Sequence, residues 1–172
     1  MLRIMERAPR REWEAEYVAE YCREAFRGLT VIYHCRLGTW PQPLTGEPLT
    51  PEEQAMLKVR MRWADAVVIS PKVITVVEAK LRASEFLKAL GELQLYMHLV
   101  RHTPEFAKFK DRAVAGRLVI PFEDPALMVI ARQQNIDVAI FKPSFWNEYL
   151  AAIQPRQARP IRPEEAKLLE GH

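Results

Sequence analysis

Cysteine is scarce in this chain of 172 residues: only Cys22 and Cys35 occur. They form no CxxC pair, which excludes a zinc knuckle and a thioredoxin-type redox motif. Two isolated thiols read as buried side chains in a reducing cytoplasm, with no disulfide. The N-terminus, MLRIMERAPRREWEAE, is charged and lacks an apolar h-region, so no signal peptide is expected. No apolar run approaches the roughly 20 residues of a membrane span, so no membrane partner is expected. Internal repeats, helix-turn-helix signals and zinc-finger spacing are missing too. His34, His98 and His102 are too scattered to make a ligand set. Nor does one sign of charge dominate: the formal net charge is +3 and the pI about 8.9. Such a balance admits a nucleic-acid partner without requiring one.

What remains is a well-supplied core. The chain is 49% hydrophobic, enough for one domain with a real interior. Apolar spacing predicts a first helix from about Arg10 to Arg27, with Val18, Cys22, Ala25 and Leu29 as its buried stripe and Gly28 as its stop. LTVIYHCRL reads as a strand, and the proline-rich GTWPQPLTGEPLTP as a loop. TPEEQAML carries a helix start, with Thr50 as N-cap, Pro51 at the first position and Glu53 closing a capping box. A long helix is expected from Ser84 to His102, burying Phe86, Leu90, Leu93, Met97 and Val100. GRLVIPF and NIDVAIFK are two more strands around a helix near Pro125–Gln133. SFWNEYLAAI is a last helix, with Ser144 as its cap. The order implies one α/β domain over residues 1–154, with a mixed central sheet flanked by helices on both faces. Residues 155–172 form a Pro/Arg-rich tail containing Arg156, Arg159 and Arg162.

The stretch RWADAVVISPKVITVVEAKL poses the chemical question. It has the composition of two buried strands, yet Asp65, Glu78 and Lys80 are set into it. With a two- or four-residue loop, Ile69 faces Ile74, Val67 faces Val76, and Asp65 falls opposite Glu78. Trp63, Val67 and Ile69 are expected on Asp65's face. Two carboxylates across a strand pair have Cβ atoms roughly 5 Å apart and repel. Burying them calls for a compensating charge. A Mg²⁺ or Mn²⁺ ion suits, since such ions take carboxylate oxygens and keep their waters. Lys80 would sit beside it, where it can help deprotonate an attacking water or neutralise developing charge. The plain alternative is an ion pair of Glu78 with Lys80 at a solvated strand end.

This pattern resembles the PD-(D/E)XK nuclease superfamily, with the restriction-endonuclease-like fold. In that family an Asp closes one strand and a (D/E)xK motif closes the next. Here the counterparts are Asp65, Glu78 and Lys80, and the resemblance implies that the Ala79 carbonyl also binds the metal. The family core of helix, three strands, helix and strand matches from about Arg10 to Phe122. GELQLYMHLV adds a likeness to RecB-like and λ-exonuclease-like members, which carry a Gln and a Tyr four residues apart on this helix. Tyr96 lies four residues after Glu92, with Gln94 between them, so either Glu92 or Gln94 takes the polar position. Many members also supply a glutamate from the first helix. Glu14, one turn before Val18 on the apolar face, is the choice, with Glu20 as fallback.

Lys58, Arg60 and Arg62 alternate with Val59, Met61 and Trp63, as a basic strand face holding DNA phosphates would. Arg82 and Lys88 are further phosphate candidates. Asp137 is expected at a strand edge. The expectation is a Mg²⁺- or Mn²⁺-dependent deoxyribonuclease, structure- or partner-directed, with DNA as partner. A protein partner for the tail and a homo-oligomer are compatible with it. The rival readings are an inactive nuclease-fold scaffold and an RNA nuclease.

Overall fold

The computed structural model describes residues 12–39, 48, 50–60 and 62–153, with backbone only for 56–60. The Pro/Arg-rich tail, Met61 and the expected helix start at Arg10 lie outside the described residues. The elements follow the expected order: α1 (Trp13–Ala25), β1 (Thr30–Leu37), α2 (Pro51–Arg60), β2 (Arg62–Ile69), β3 (Val73–Ala79), α3 (Phe86–Arg101), β4 (Ala113–Ile120), α4 (Pro125–Gln133), β5 (Ile136–Ile140) and α5 (Trp146–Ile153). Two short 3-10 turns, Ala83–Glu85 and Pro104–Phe109, were not anticipated.

The five strands form one sheet in sequence order, β1-β2-β3-β4-β5. β2 runs antiparallel to both its neighbours, β1 and β3, while β3–β4 and β4–β5 are parallel. Parallel neighbours need a crossover, which α3 and α4 supply. Both crossover helices pack on one face: Phe86, Leu90, Leu93 and Leu127 cover Val67, Val76 and Leu118. On the other face Tyr17, Val18, Tyr21 and Tyr149 from α1 and α5 cover Val68, Val77 and Val119. A central strand covered on both sides has no polar face, which explains the run of Val and Ile in β3 before Glu78.

Local signals account for several boundaries. At the start of α2 the Glu53 N–H donates to the Thr50 hydroxyl at 3.2 Å, and the Thr50 N–H donates to the Glu53 carboxylate at 2.9 Å. That is the expected capping box. Gly28, with φ of +80°, turns the chain after α1 into β1. Asp124 caps α4, accepting from the Leu127 N–H at 3.0 Å. Gly116 lets β4 pass under α3, because a Cβ there would come within 2.7 Å of the Met97 sulfur.

Four expectations need correction. The buried stripe of α1 is Tyr17, Val18, Tyr21 and Cys22, whereas Ala25 and Leu29 are exposed. The helix ends at Ala25, so the periodicity beyond it has no helix to express it. Lys58 and Arg60 belong to α2, not to a strand. Alternate residues share a strand face but sit about 200° apart on a helix, so the basic strand stripe does not form. Met97 is only partly buried, and Tyr96 takes its place among the buried residues of α3. Ser144 does not act through its hydroxyl as a cap: both its N–H and its hydroxyl donate to the Glu20 carboxylate, at 2.7 and 2.9 Å. This also commits Glu20, the fallback acid of α1, to the loop before α5.

Cys22 and Cys35 are buried free thiols. Asp137, on the edge strand β5, pairs with Arg117 at 2.6 Å. Among the described residues, no helix is long and apolar enough to cross a membrane.

Candidate active site

β2 and β3 leave their turn as a regular ladder pairing Ile69 with Ile74, Val68 with Thr75, Val67 with Val76 and Ala66 with Val77. This register brings Asp65 opposite Glu78, and there the ladder stops. Two side-chain bonds replace it. The Asp65 N–H donates to Glu78 Oε1 at 3.2 Å, and the Ala79 N–H donates to Asp65 Oδ2 at 2.8 Å. Each acid thus satisfies a backbone donor of the opposite strand as the two strands part. On its other side β3 stays paired, with the Lys80 N–H donating to the Val119 carbonyl at 2.9 Å. The acids therefore line a notch at the C-terminal end of β3.

A break in the pleat aims Asp65 into this notch. Ala64 is buried in the α3-side core and Ala66 in the α1-side core, although strict alternation would put both on one face. Opposite the break, β1 has His34 at φ of +46°, and the His34–Asp65 pair is missing from an otherwise continuous register. The single face expected for Trp63, Asp65, Val67 and Ile69 is therefore interrupted at Asp65 itself. The His34 ring stacks on Trp63 with centroids 4.5 Å apart. The sequence carries no signal for this left-handed histidine.

Glu78 is almost fully buried, at 2% exposure. Burial, then the neighbouring Asp65, push its carboxyl well above the ordinary range, with Lys80 pulling the other way. Lys80 Nζ lies 3.4 Å from Glu78 Oε2 and 3.8 Å from Glu14 Oε2, bridging β3 and α1. Burial works against its charge, but Asp65, Glu78, Glu14 and Glu92 outweigh it and raise its pKa. Burial also raises the carboxyl of Glu14, against the pull of Lys80. The remaining polar neighbour comes from α3. Gln94 is exposed, whereas Glu92 acts on both Glu78 and Lys80. Tyr96 is buried beside it, its hydroxyl pushed up to about 12 by burial and by Glu78 and Glu92.

Two hollows flank this centre. One is lined by Arg62, Lys88, Gly91, Glu92, Leu95 and Tyr96, with Lys88 paired to Glu92 at 3.4 Å. It brings together two of the basic residues singled out from sequence. The other is lined by Trp13, Glu14, Leu81, Arg82, Glu85 and Tyr149, among others. Trp13, Glu85 and Tyr149 carried no signal in the sequence. Tyr149 in particular stands 69 residues after Lys80 and reaches the site only through folding.

Among the described residues, no three His, Cys, Asp or Glu side chains gather closely enough to cage a metal. The donors at the notch are the two strand carboxylates, while Glu14 meets them through the Lys80 ammonium. A two-carboxylate set fits a cation that keeps most of its water, as Mg²⁺ does, and does not fit a Zn²⁺ or Ca²⁺ cage.

Helix, three-stranded meander, helix and parallel strand, with an acid at the end of β2 and ExK at the end of β3, complete the arrangement. The fold is the restriction-endonuclease-like one that the PD-(D/E)XK resemblance implied. No family model and no curated protein matches the chain. Among solved structures it is similar to a repair endonuclease from Pyrococcus abyssi, at 17% identity and a TM-score of 0.45, over 80% of this chain and 50% of that one. It is similar to an EndoMS–dsDNA complex at 19% identity and a TM-score of 0.45, over 83% of this chain and 49% of that one. It is also similar to a protein of unknown function at 11% identity and a TM-score of 0.41, over 92% of this chain and 76% of that one. The chain spans about half the length of the first two. At this level of likeness the site's own geometry carries the functional reading.

Proposed function

We propose that this chain is a divalent-metal-dependent nuclease that hydrolyses DNA phosphodiester bonds. The observation that supports it is the interlocked pair Asp65 and Glu78 with Lys80 at 3.4 Å. Two repelling carboxylates, one half-buried and the other almost fully buried, are costly to keep unless charge chemistry uses them. Asp65, Glu78 and the Ala79 carbonyl would hold Mg²⁺ or Mn²⁺, with Glu14 at the margin. Once bound, such an ion activates a water and holds the scissile phosphate. Lys80, held cationic by the surrounding acids, stabilises the charge that builds on the phosphoryl oxygens. Glu78 and Glu14 hold the ammonium between β3 and α1, at 3.4 and 3.8 Å. Arg62 and Lys88 hold a flanking phosphate in one hollow, and Arg82 serves the strand at the other. DNA, in preference to RNA, follows from the PD-(D/E)XK resemblance. The tail at 155–172 adds salt-dependent affinity or docks a partner.

The test is cleavage of linear, nicked, branched and single-stranded DNA, beside RNA, with Mg²⁺ or Mn²⁺. Wild type is compared with Lys80→Ala and with an EDTA control. The expected result is cleavage that disappears in both controls, together with metal-dependent thermal stabilisation. One observation favours a second reading: Lys80 already neutralises the acids without an ion, as an inactive scaffold on this fold would require. Absence of both cleavage and metal-dependent stabilisation would select that reading.

A further inference from the structure

Three histidines were too scattered in the sequence to suggest a ligand set, and His34 does stay apart on β1. The other two meet at the end of α3. His98 and His102 are four residues apart, so they project from the same side of the helix. Their ring centroids lie 4.7 Å apart, with the planes at 49°. Both residues are exposed. Among the described residues, neither imidazole enters a hydrogen bond or an ion pair, so the ring nitrogens are available.

The backbone beneath the pair is held firmly. The His102 N–H donates to the carbonyls of Leu99 and Val100. The buried Thr103 hydroxyl donates to the Leu99 carbonyl at 2.8 Å and accepts the Gly38 N–H at 2.8 Å. The last turn of α3 is thereby tied to the chain leaving β1, and the two rings start from a fixed base. A helix C-terminus also favours a cation. Of the other cations nearby, Arg36 is committed to Glu105 and Arg101 is exposed and can extend into solvent. Paired histidines at this spacing on one helix are a recurrent zinc-binding arrangement. A shared ion needs one nitrogen from each ring within about 4 Å of the other, twice a Zn–N bond, and rings this close allow it. Imidazole suits Cu²⁺, Ni²⁺ and Zn²⁺, whereas Mg²⁺ takes oxygen. The histidine pair and the carboxylate notch therefore sort ions by ligand chemistry.

We propose that His98 and His102 form a second metal site, which takes Cu²⁺, Ni²⁺ or Zn²⁺ through two imidazole nitrogens and clamps the last turn of α3. Water completes the coordination, so the site is an open one and not a closed structural cage. The clamped helix is the one that carries Glu92 and Tyr96, two turns or less before the pair. The inference does not rest on the nuclease reading and holds whether or not the chain cleaves DNA.

The test uses the full chain without an affinity tag, in excess Mg²⁺ to supply the notch. Cu²⁺ and Ni²⁺ are titrated by calorimetry, and bound Cu²⁺ is read by electron paramagnetic resonance. We expect one ion per chain, Cu²⁺ bound more tightly than Ni²⁺, and nitrogen splitting from two imidazoles. His98→Ala and His102→Ala should each weaken binding by about 10²-fold or more, because the second imidazole binds within the same molecule. Both side chains are exposed, so the variants keep the fold. Ni²⁺ should raise the Tm of the wild type and leave that of the double variant unchanged. Asp65→Asn, which alters the notch, should keep both the binding and the shift. Binding that survives the two histidine substitutions overturns the site and places the ion elsewhere, such as at His172 in the tail. Binding lost in Asp65→Asn overturns it in favour of the notch. A loss of only about twofold in each variant shows two independent histidines and overturns the shared ion.

Discussion

The carboxylate of Asp65 accepts the backbone N–H of Ala79 at 2.8 Å, one residue beyond its cross-strand partner Glu78. The acid thus has two functions, closing a broken ladder and offering charge to the notch. They separate by substitution. Asp65→Ala leaves the Ala79 N–H buried without a partner, which costs about 1–3 kcal/mol. Asp65→Asn keeps an acceptor and relieves the repulsion with Glu78, so it folds at least as stably as the wild type. Urea denaturation is expected to separate the two variants, while cleavage is lost in both.

Glu78 sets a pH dependence. Its folded-state pKa is raised above the ordinary 4.5, first by burial and then by Asp65. Above 4.5 the folded protein therefore holds a proton that the unfolded chain releases. Stability falls as pH rises through that window. Thermal melts in EDTA should show Tm declining from pH 5 to pH 8, and Glu78→Gln should flatten the decline. Added Mg²⁺ should stabilise the wild type most at the alkaline end, where the carboxylate is free to bind it.

Removing the Lys80 ammonium has a structural and a catalytic effect. Lys80→Met leaves Glu78 and Asp65 without their counter-ion, which is destabilising at pH 8 and mild at pH 5, where Glu78 carries its proton. Loss of a charge-stabilising donor lowers kcat by about 10²–10³-fold. Lys80→Arg keeps the charge but not the compact ammonium, and is expected to recover stability more than rate. Paired melting and single-turnover measurements report the two effects separately.

Arg62 and Lys88 share one hollow, so each should remove about one unit from the slope of log affinity against log salt when changed to Ala. Gln94→Ala, on the exposed flank of α3, should leave slope and affinity unchanged. Filter binding in EDTA across a salt series decides between them.

Thr50→Ala breaks the capping box of α2 and should cost about 1 kcal/mol of stability. Cleavage by the folded protein should not change, since neither Thr50 nor Glu53 lines either hollow beside the notch.

Much of the fold was legible in the sequence because local physics dictates it. The capping box at Thr50–Glu53, the alternating apolar runs of β2 and β3, and the 3.6-residue stripe of α3 act over a few residues and need no distant partner. The sequence left two registers open at the turn after Ile69, and the observed Ile69–Ile74 pairing is the one that sets Asp65 opposite Glu78. The sequence by itself thus determined the element order, the mixed sheet and the candidate acids. Only the tertiary structure decided how those acids are used. The pleat break at His34 aims Asp65 at the Ala79 N–H, and packing of α1 brings Glu14 to Lys80. Packing of α3 leaves Gln94 exposed and half-buries Glu92. The extension of α2 to Arg60 dissolved a basic stripe that alternation alone suggested. Tyr149 joins the site from a helix 69 residues downstream of Lys80. Short-range patterns record which face is apolar; they do not record which two faces will meet.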